Sequence, residues 1–163
     1  MSLTPEYREI TKNDLNALKQ MILPDIFEEL MEQDEIDTEY ICLSSWLSDT
    51  PVGVLIADTE DDGNLNLLSV WTDPIYRRMG IASALKDKMT EVALELYDWE
   101  AGQYGDDILL KTMYCLRDEY KEPFEEWLKK NDFTDFAILK DADEEKPQIC
   151  AASAEIHFFR YGE

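Results

Sequence analysis

Three β-rich runs follow one another between residues 40 and 72: Tyr40 to Trp46, Pro51 to Asp58, and Leu65 to Thr72. Branched, aromatic and aliphatic residues dominate each run and suit a pleated surface. The joints carry turn chemistry, Ser48–Asp49 in the first and Asp61–Asp62–Gly63 in the second. A parallel crossover takes about a dozen residues or more, so joints this short leave an antiparallel meander. Any fold for this chain must be built around that sheet.

The remaining segments place helices on it. Glu6 to Ile10 alternates like a short strand. Thr11 to Asp14 offers capping residues, and Leu15, Leu18, Met21 and Ile22 recur at helical spacing. Pro24 interrupts. A second helical run sets Ile26, Phe27, Leu30 and Met31 against an acidic side of Glu28, Glu29, Glu32, Asp34 and Glu35. Beyond the meander a helix begins near Gly80, with Ile81, Leu85, Met89, Val92 and Leu96 on one apolar face. Tyr97 to Asp107 reads as a loop and Ile108 to Tyr114 as a strand. Tyr120, Phe124, Trp127 and Leu128 mark another amphipathic helix. Phe133 to Leu139 and Ile149 to Phe159 read as strands on either side of the acidic, solvated turn Asp141 to Pro147. The order β-α-α-β-β-β-α-β-α-β-β describes a single α+β, or mixed α/β, domain over residues 1–163. A chain of 163 residues buries roughly 70% of the surface it exposes when unfolded, so its core needs neither metal nor disulfide.

Acids outnumber bases by 37 to 15, for a formal charge of −22. A field of that sign repels nucleic acid and anionic membranes and draws cationic partners, so neither nucleic acid nor membrane is expected as a partner. Cys42, Cys115 and Cys150 lie far apart and form no C-x-x-C pair. They read as reduced core residues of a cytoplasmic protein. His157 is the only histidine, so no metal site is expected. No apolar run approaches the ~20 residues of a membrane span, and the opening MSLTPEYREIT lacks the regions of a signal peptide. No serine sits in a G-x-S-x-G elbow, which leaves a hydrolase without support.

One window runs against the acidity. Between Asp73 and Asp87 there is no carboxylate, while Arg77, Arg78 and Lys86 fall inside it and Gly80 follows the arginines by two positions. Pro74 cannot donate to a ladder, so strand pairing stops or splays there. The helix that follows starts with N–H groups that lack partners, and its peptide dipoles add positive potential. Together these make an anion site. Gly80 carries no Cβ to hold an anion off, and Ala82 and Ser83 are small. Arginine binds a phosphate through two parallel N–H bonds. The plainer alternative is an ordinary helix start with two exposed arginines. Cations there are disfavoured by about 0.3–1 kcal/mol, and two of them in a base-poor chain favour a phosphate or pyrophosphate cradle.

The run Arg77–Arg78–Met79–Gly80–Ile81–Ala82 resembles the Q/R-x-x-G-x-G/A motif of the GNAT acetyltransferase superfamily. Pro74–Ile75–Tyr76–Arg77 is similar to its lead-in, Leu85 falls where the family helix carries leucine, and the element order resembles the GNAT fold across nearly the whole chain. The resemblance implies a mostly antiparallel central sheet with one splayed strand pair, flanked by helices. It implies acetyl-CoA or another acyl-CoA as donor, with no metal. The pyrophosphate would lie on the backbone of Arg78, Met79, Gly80, Ile81, Ala82 and Ser83, with Arg77 at the motif's first position. The pantetheine arm would pair with Val70, Trp71 and Thr72, in the cleft where Leu65–Thr72 splays from Ile108–Tyr114. The acceptor would be a small-molecule or protein amine, cationic if the acidic field selects it; a homodimer is left open.

A second family segment, N-x-x-A-x-x-x-Y-x-K-x-G-F, aligns with Lys121 to Phe133. Lys130 and Phe133 match. Lys121, Phe124, Leu128 and Asp132 stand where the family has asparagine, alanine, tyrosine and glycine. That tyrosine is the family's usual proton donor to the thiolate, so Tyr120 is the candidate catalytic acid here, with Tyr114 the other tyrosine close in sequence. Some relatives carry a glutamate as general base where Asn66 falls. The acids Glu28, Glu29, Glu32 and Glu39 are the remaining candidates for a base, although a solvated face accounts for most of them. These gaps leave a second reading, a fold that keeps CoA but acts as a sensor or partner-binding module.

Overall fold

Successive side chains of a strand point to opposite faces, so a run buried at every position needs cover on both. The computed structural model describes residues 4–34, 36, 40–59, 65–97 and 107–157. In it the strand order is β1 (Glu6–Glu9), β2 (Tyr40–Leu47), β3 (Thr50–Thr59), β4 (Leu65–Thr72), β5 (Asp107–Cys115), then β7 (Ile149–His157) and β6 (Thr134–Lys140). Contacts divide the chain into two compact units, Met1–Thr59 with Leu68–Trp99, and Glu60–Leu67 with Glu100–Glu163.

In the first unit β2 and β3 form an antiparallel pair with Leu43 opposite Leu55 and Ser45 opposite Gly53. Residues 41–47 and 52–57 are buried throughout. One face is covered by a 3₁₀ helix, Lys12–Met21, and by α1, Pro24–Glu32. Leu15, Leu18, Ile22, Phe27 and Leu30 from these elements pack with Cys42, Trp46, Val54 and Ile56 of the sheet. The other face receives α2, Ile81–Tyr97. Among its described side chains Ile81, Leu85, Met89 and Ala93 are wholly buried, a strict four-residue step. Val92 is only half-buried, and the Leu96 side chain lies outside the described residues.

The first helical run is 3₁₀ rather than α. Leu15, Leu18 and Met21 recur every three residues, which is the 3₁₀ period. The Asp14 carboxylate accepts both the Thr11 N–H and the Thr11 hydroxyl at 3.0 Å and tightens its start. Pro24 opens α1 instead of merely ending the preceding run, because a helix's first position needs no N–H.

In the second unit Leu65, Asn66 and Leu67 lie parallel to Leu110, Lys111 and Thr112. The chain between them includes α2, so this is the long crossover that a parallel pair requires. β5 pairs antiparallel with β7, and β7 with β6. Leu128 of α3, Asp118–Lys130, is wholly buried, and Phe124 packs edge-on against Tyr114 of β5. Two sequence expectations change here. Cys115 is exposed, since it alternates with buried Tyr114, whereas Cys42 and Cys150 are buried; all three are free thiols. Phe133 is buried ahead of β6, which begins at Thr134 and is exposed along its whole length. Residues 98–106, the rest of the expected loop, and 158–159, the end of the expected last strand, lie outside the described residues. No described helix is long and apolar enough to cross a membrane.

Candidate functional site

β4 ends at Thr72, and the Asp73 N–H donates to the Val52 carbonyl at 2.9 Å, which ties the strand's exit to β3. Pro74 then presets the backbone for a helical turn. The chain enters a 3₁₀ helix, Pro74–Met79, capped by Asp73. The Ile75 N–H donates to Asp73 Oδ1 at 2.9 Å, and the Tyr76 N–H donates to the Asp73 carbonyl at 2.8 Å. Gly80 ends this helix at φ 71°, ψ 22°. That left-handed conformation costs an L-residue roughly 1–2 kcal/mol, so glycine is the residue that fits.

α2 restarts at once. The Ala84 N–H donates to the Gly80 carbonyl at 3.0 Å, the bond that closes the first turn. Ile81 and Ala82 open the helix, and an α-helix offers their N–H groups no internal acceptor. A Cβ built on Gly80 would meet nothing within 4 Å among the described residues, so the backbone here is open to approach. Neither helix carries an acid in its first turn, so those turns leave the positive potential at the start of α2 intact. An exposed glycine backbone, helix-start donors and an acid-free first turn fit a pyrophosphate.

Around this junction Val70 and Trp71 are half-buried and Thr72 is buried. Met79 is exposed, Ile81 is wholly buried, and Ala82 and Ser83 are half-buried. The Arg77 and Arg78 side chains lie outside the described residues. Arg78 and Met79 belong to the 3₁₀ helix, whose N–H groups turn back onto carbonyls three residues earlier. The helix-start donors are therefore those of Ile81 and Ala82. The sequence missed Gly53. A Cβ on it would lie 2.7 Å from Ile81 Cγ2, so α2 seats on this glycine.

The two tyrosine candidates differ. Tyr114 donates its hydroxyl to Glu125 Oε2 at 2.5 Å. Burial first, then the hydrogen bond and charge of Glu125, raise its phenol above the ordinary range. Tyr120 on α3 is 54% exposed, off the apolar side where its spacing with Phe124 had placed it. Asn66 lies opposite Lys111 in the β4–β5 ladder. Glu28, Glu29 and Glu32 are exposed, and Glu29 accepts the Tyr40 hydroxyl at 2.6 Å; Glu35 and Glu39 lie outside the described residues. Burial pushes the Cys42 thiol up to about 12, which keeps it inert. The His157 side chain lies outside the described residues, and no metal-capable cluster of three or more side chains occurs among the described residues.

The Acetyltransferase (GNAT) family model matches residues 6–102, a stretch that contains Gly53, Gly80 and α2. Three solved structures share the fold. Ribosomal-protein-S18-alanine N-acetyltransferase from Escherichia coli has a TM-score of 0.68 at 13% identity, over 98% of this chain and 99% of that one. Ard1 from Thermoplasma volcanium has a TM-score of 0.67 at 16% identity, over 94% and 99%. An aminoglycoside 6'-N-acetyltransferase complexed with coenzyme A has a TM-score of 0.65 at 16% identity, over 95% and 99%. No curated protein sequence matches the chain. The match over residues 6–102 shows that the chain belongs to the GNAT family of acetyltransferases.

Proposed function

We propose that this protein is an acyl-CoA-dependent N-acyltransferase that moves an acetyl group from acetyl-CoA to an amine by direct attack, with residues 1–163 acting as one catalytic domain. The observation that carries the reading is Gly80, left-handed and open to approach, set immediately before the start of α2. Acetyl-CoA supplies an activated thioester. In this reading the N–H groups of Ile81 and Ala82 hold the pyrophosphate, and Arg77 and Arg78 add charge. The backbone of Val70, Trp71 and Thr72 receives the pantetheine arm, and the Val70 N–H is the donor for the developing oxyanion.

The acceptor nitrogen bonds to the acyl carbon as the carbon–sulfur bond breaks. One proton leaves nitrogen and one reaches sulfur. Tyr120 is the proposed source of the second, as the exposed phenol of the pair. The amine must be neutral when it attacks, and a carboxylate or a water chain to solvent suffices to take its proton. The charge of −22 favours a cationic acceptor. Amine acceptors appear in the names of two structural neighbours, an alanine of a ribosomal protein and an aminoglycoside.

One observation favours the second reading, a CoA-binding module without turnover. Leu128 stands at the family's tyrosine position and is wholly buried, so that position holds a packing residue. Free-thiol release from acetyl-CoA, followed across a panel of polyamines, aminoglycosides and peptide amines, separates the two. Turnover with any amine supports transfer. Tight CoA binding with no thiol release on any amine supports the module.

A further inference from the structure

We propose that Gly53 is a positioning residue for the anion cradle. Its missing side chain lets the first turn of α2 seat directly on β3, and so sets where the donors of Ile81 and Ala82 lie. The inference rests on the reading of that turn as a pyrophosphate site.

The geometry leaves little freedom. A Cβ on Gly53 would lie 2.7 Å from Ile81 Cγ2, 3.2 Å from Leu85 Cδ1 and 3.4 Å from the Trp71 carbonyl oxygen. Ile81 cannot rotate out of the way, because a β-branched side chain in a helix has one strongly preferred rotamer. Ile81 and Leu85 are both 0% exposed, so both sit inside the packed core. Close-packed interiors transmit such a clash instead of absorbing it. Relief must come from the backbone at the start of α2. The third neighbour, Trp71, belongs to the strand segment assigned to the pantetheine arm. The preceding residue, Val52, accepts the Asp73 N–H at 2.9 Å. Val52 and Gly53 thus support both sides of the junction, the strand's exit and the helix's entry. The two glycines have opposite uses: Gly80 leaves room for a ligand, and Gly53 leaves room for the protein itself.

The test is a double-mutant cycle of Gly53→Ala and Ile81→Ala, read by calorimetric titration with CoA, thermal unfolding and steady-state kinetics. Gly53→Ala is expected to weaken CoA binding by about tenfold or more, within the loss that a displacement of ~1 Å produces. It should raise KM for acetyl-CoA by more than it lowers kcat. In the Ile81→Ala background, where the clashing methyl is gone, Gly53→Ala should cost less than half as much affinity. A Gly53→Ala protein that melts earlier yet binds CoA as the wild type does overturns the proposal, as does an equal loss in both backgrounds. If the wild type binds no CoA, the pyrophosphate reading fails. Amide hydrogen exchange at Ile81–Ala84 then decides the seat: faster exchange in Gly53→Ala supports it, and unchanged exchange overturns it.

Discussion

Tyr114 of β5 donates its phenol to Glu125 of α3 at 2.5 Å, while its ring meets Phe124 edge-on with centroids 5.1 Å apart. The bond joins helix to sheet and commits the proton of one of the two tyrosines considered for catalysis. Folding raises this phenol above its ordinary value of 10.0, so the native state keeps a proton that the unfolded chain loses. The resulting stability is complete below about pH 10 and fades as pH climbs towards the native value. Tyr114→Phe is expected to lower stability at neutral pH by about 1 kcal/mol and to flatten the alkaline loss. Urea unfolding of wild type and variant between about pH 8 and 11 checks both.

Tyr120 carries the opposite expectation. Its exposure means that Tyr120→Phe should leave the melting temperature unchanged. If it protonates the thiolate, kcat should fall by about 10²–10⁴, the usual worth of a general acid. Full activity in Tyr120→Phe would remove it from the mechanism.

Asp73 is expected to act through structure alone. Its carboxylate caps the 3₁₀ helix by accepting the Ile75 N–H at 2.9 Å. Asp73→Ala should cost about 0.5–2 kcal/mol of stability, as losses of helix caps do. Asp73→Asn, which keeps an acceptor oxygen, should restore most of it in a thermal melt.

At Gly80 two effects can be pulled apart. Any L-residue at φ 71° carries strain of about 1–2 kcal/mol, so Gly80→Ala and Gly80→Glu should lose similar stability. Only the glutamate adds a carboxylate to the anion site. Its further loss of CoA affinity, compared with alanine, should reach at least ~2 kcal/mol. Arg77→Glu should act in the same direction. Equal affinities for the alanine and glutamate variants would mean that no anion approaches there.

Much of this was legible in the sequence because it is local. Leu65–Thr72 has the bounds its composition implies, and Gly80 falls at the break where a left-handed residue is needed. The period of the first helical run was also present in Leu15, Leu18 and Met21, but Ile22 blurred it towards the α spacing. What escaped depends on partners distant in the chain. A glycine in a strand signals a bulge or a close approach, yet only the fold shows that Ile81 is what approaches Gly53. Tyr114 and Tyr120 look alike in sequence. Strand alternation and the Glu125 bond bury one, and the face of α3 exposes the other.

In the proposed reading the acid-free junction at Gly80 binds the pyrophosphate of CoA. Calorimetric titration of the wild type and the Gly80→Glu variant with acetyl-CoA and CoA decides whether it does. Micromolar binding by the wild type, lost in a variant that remains folded, is the predicted result. No binding by the wild type, or equal binding by the folded variant, would contradict it.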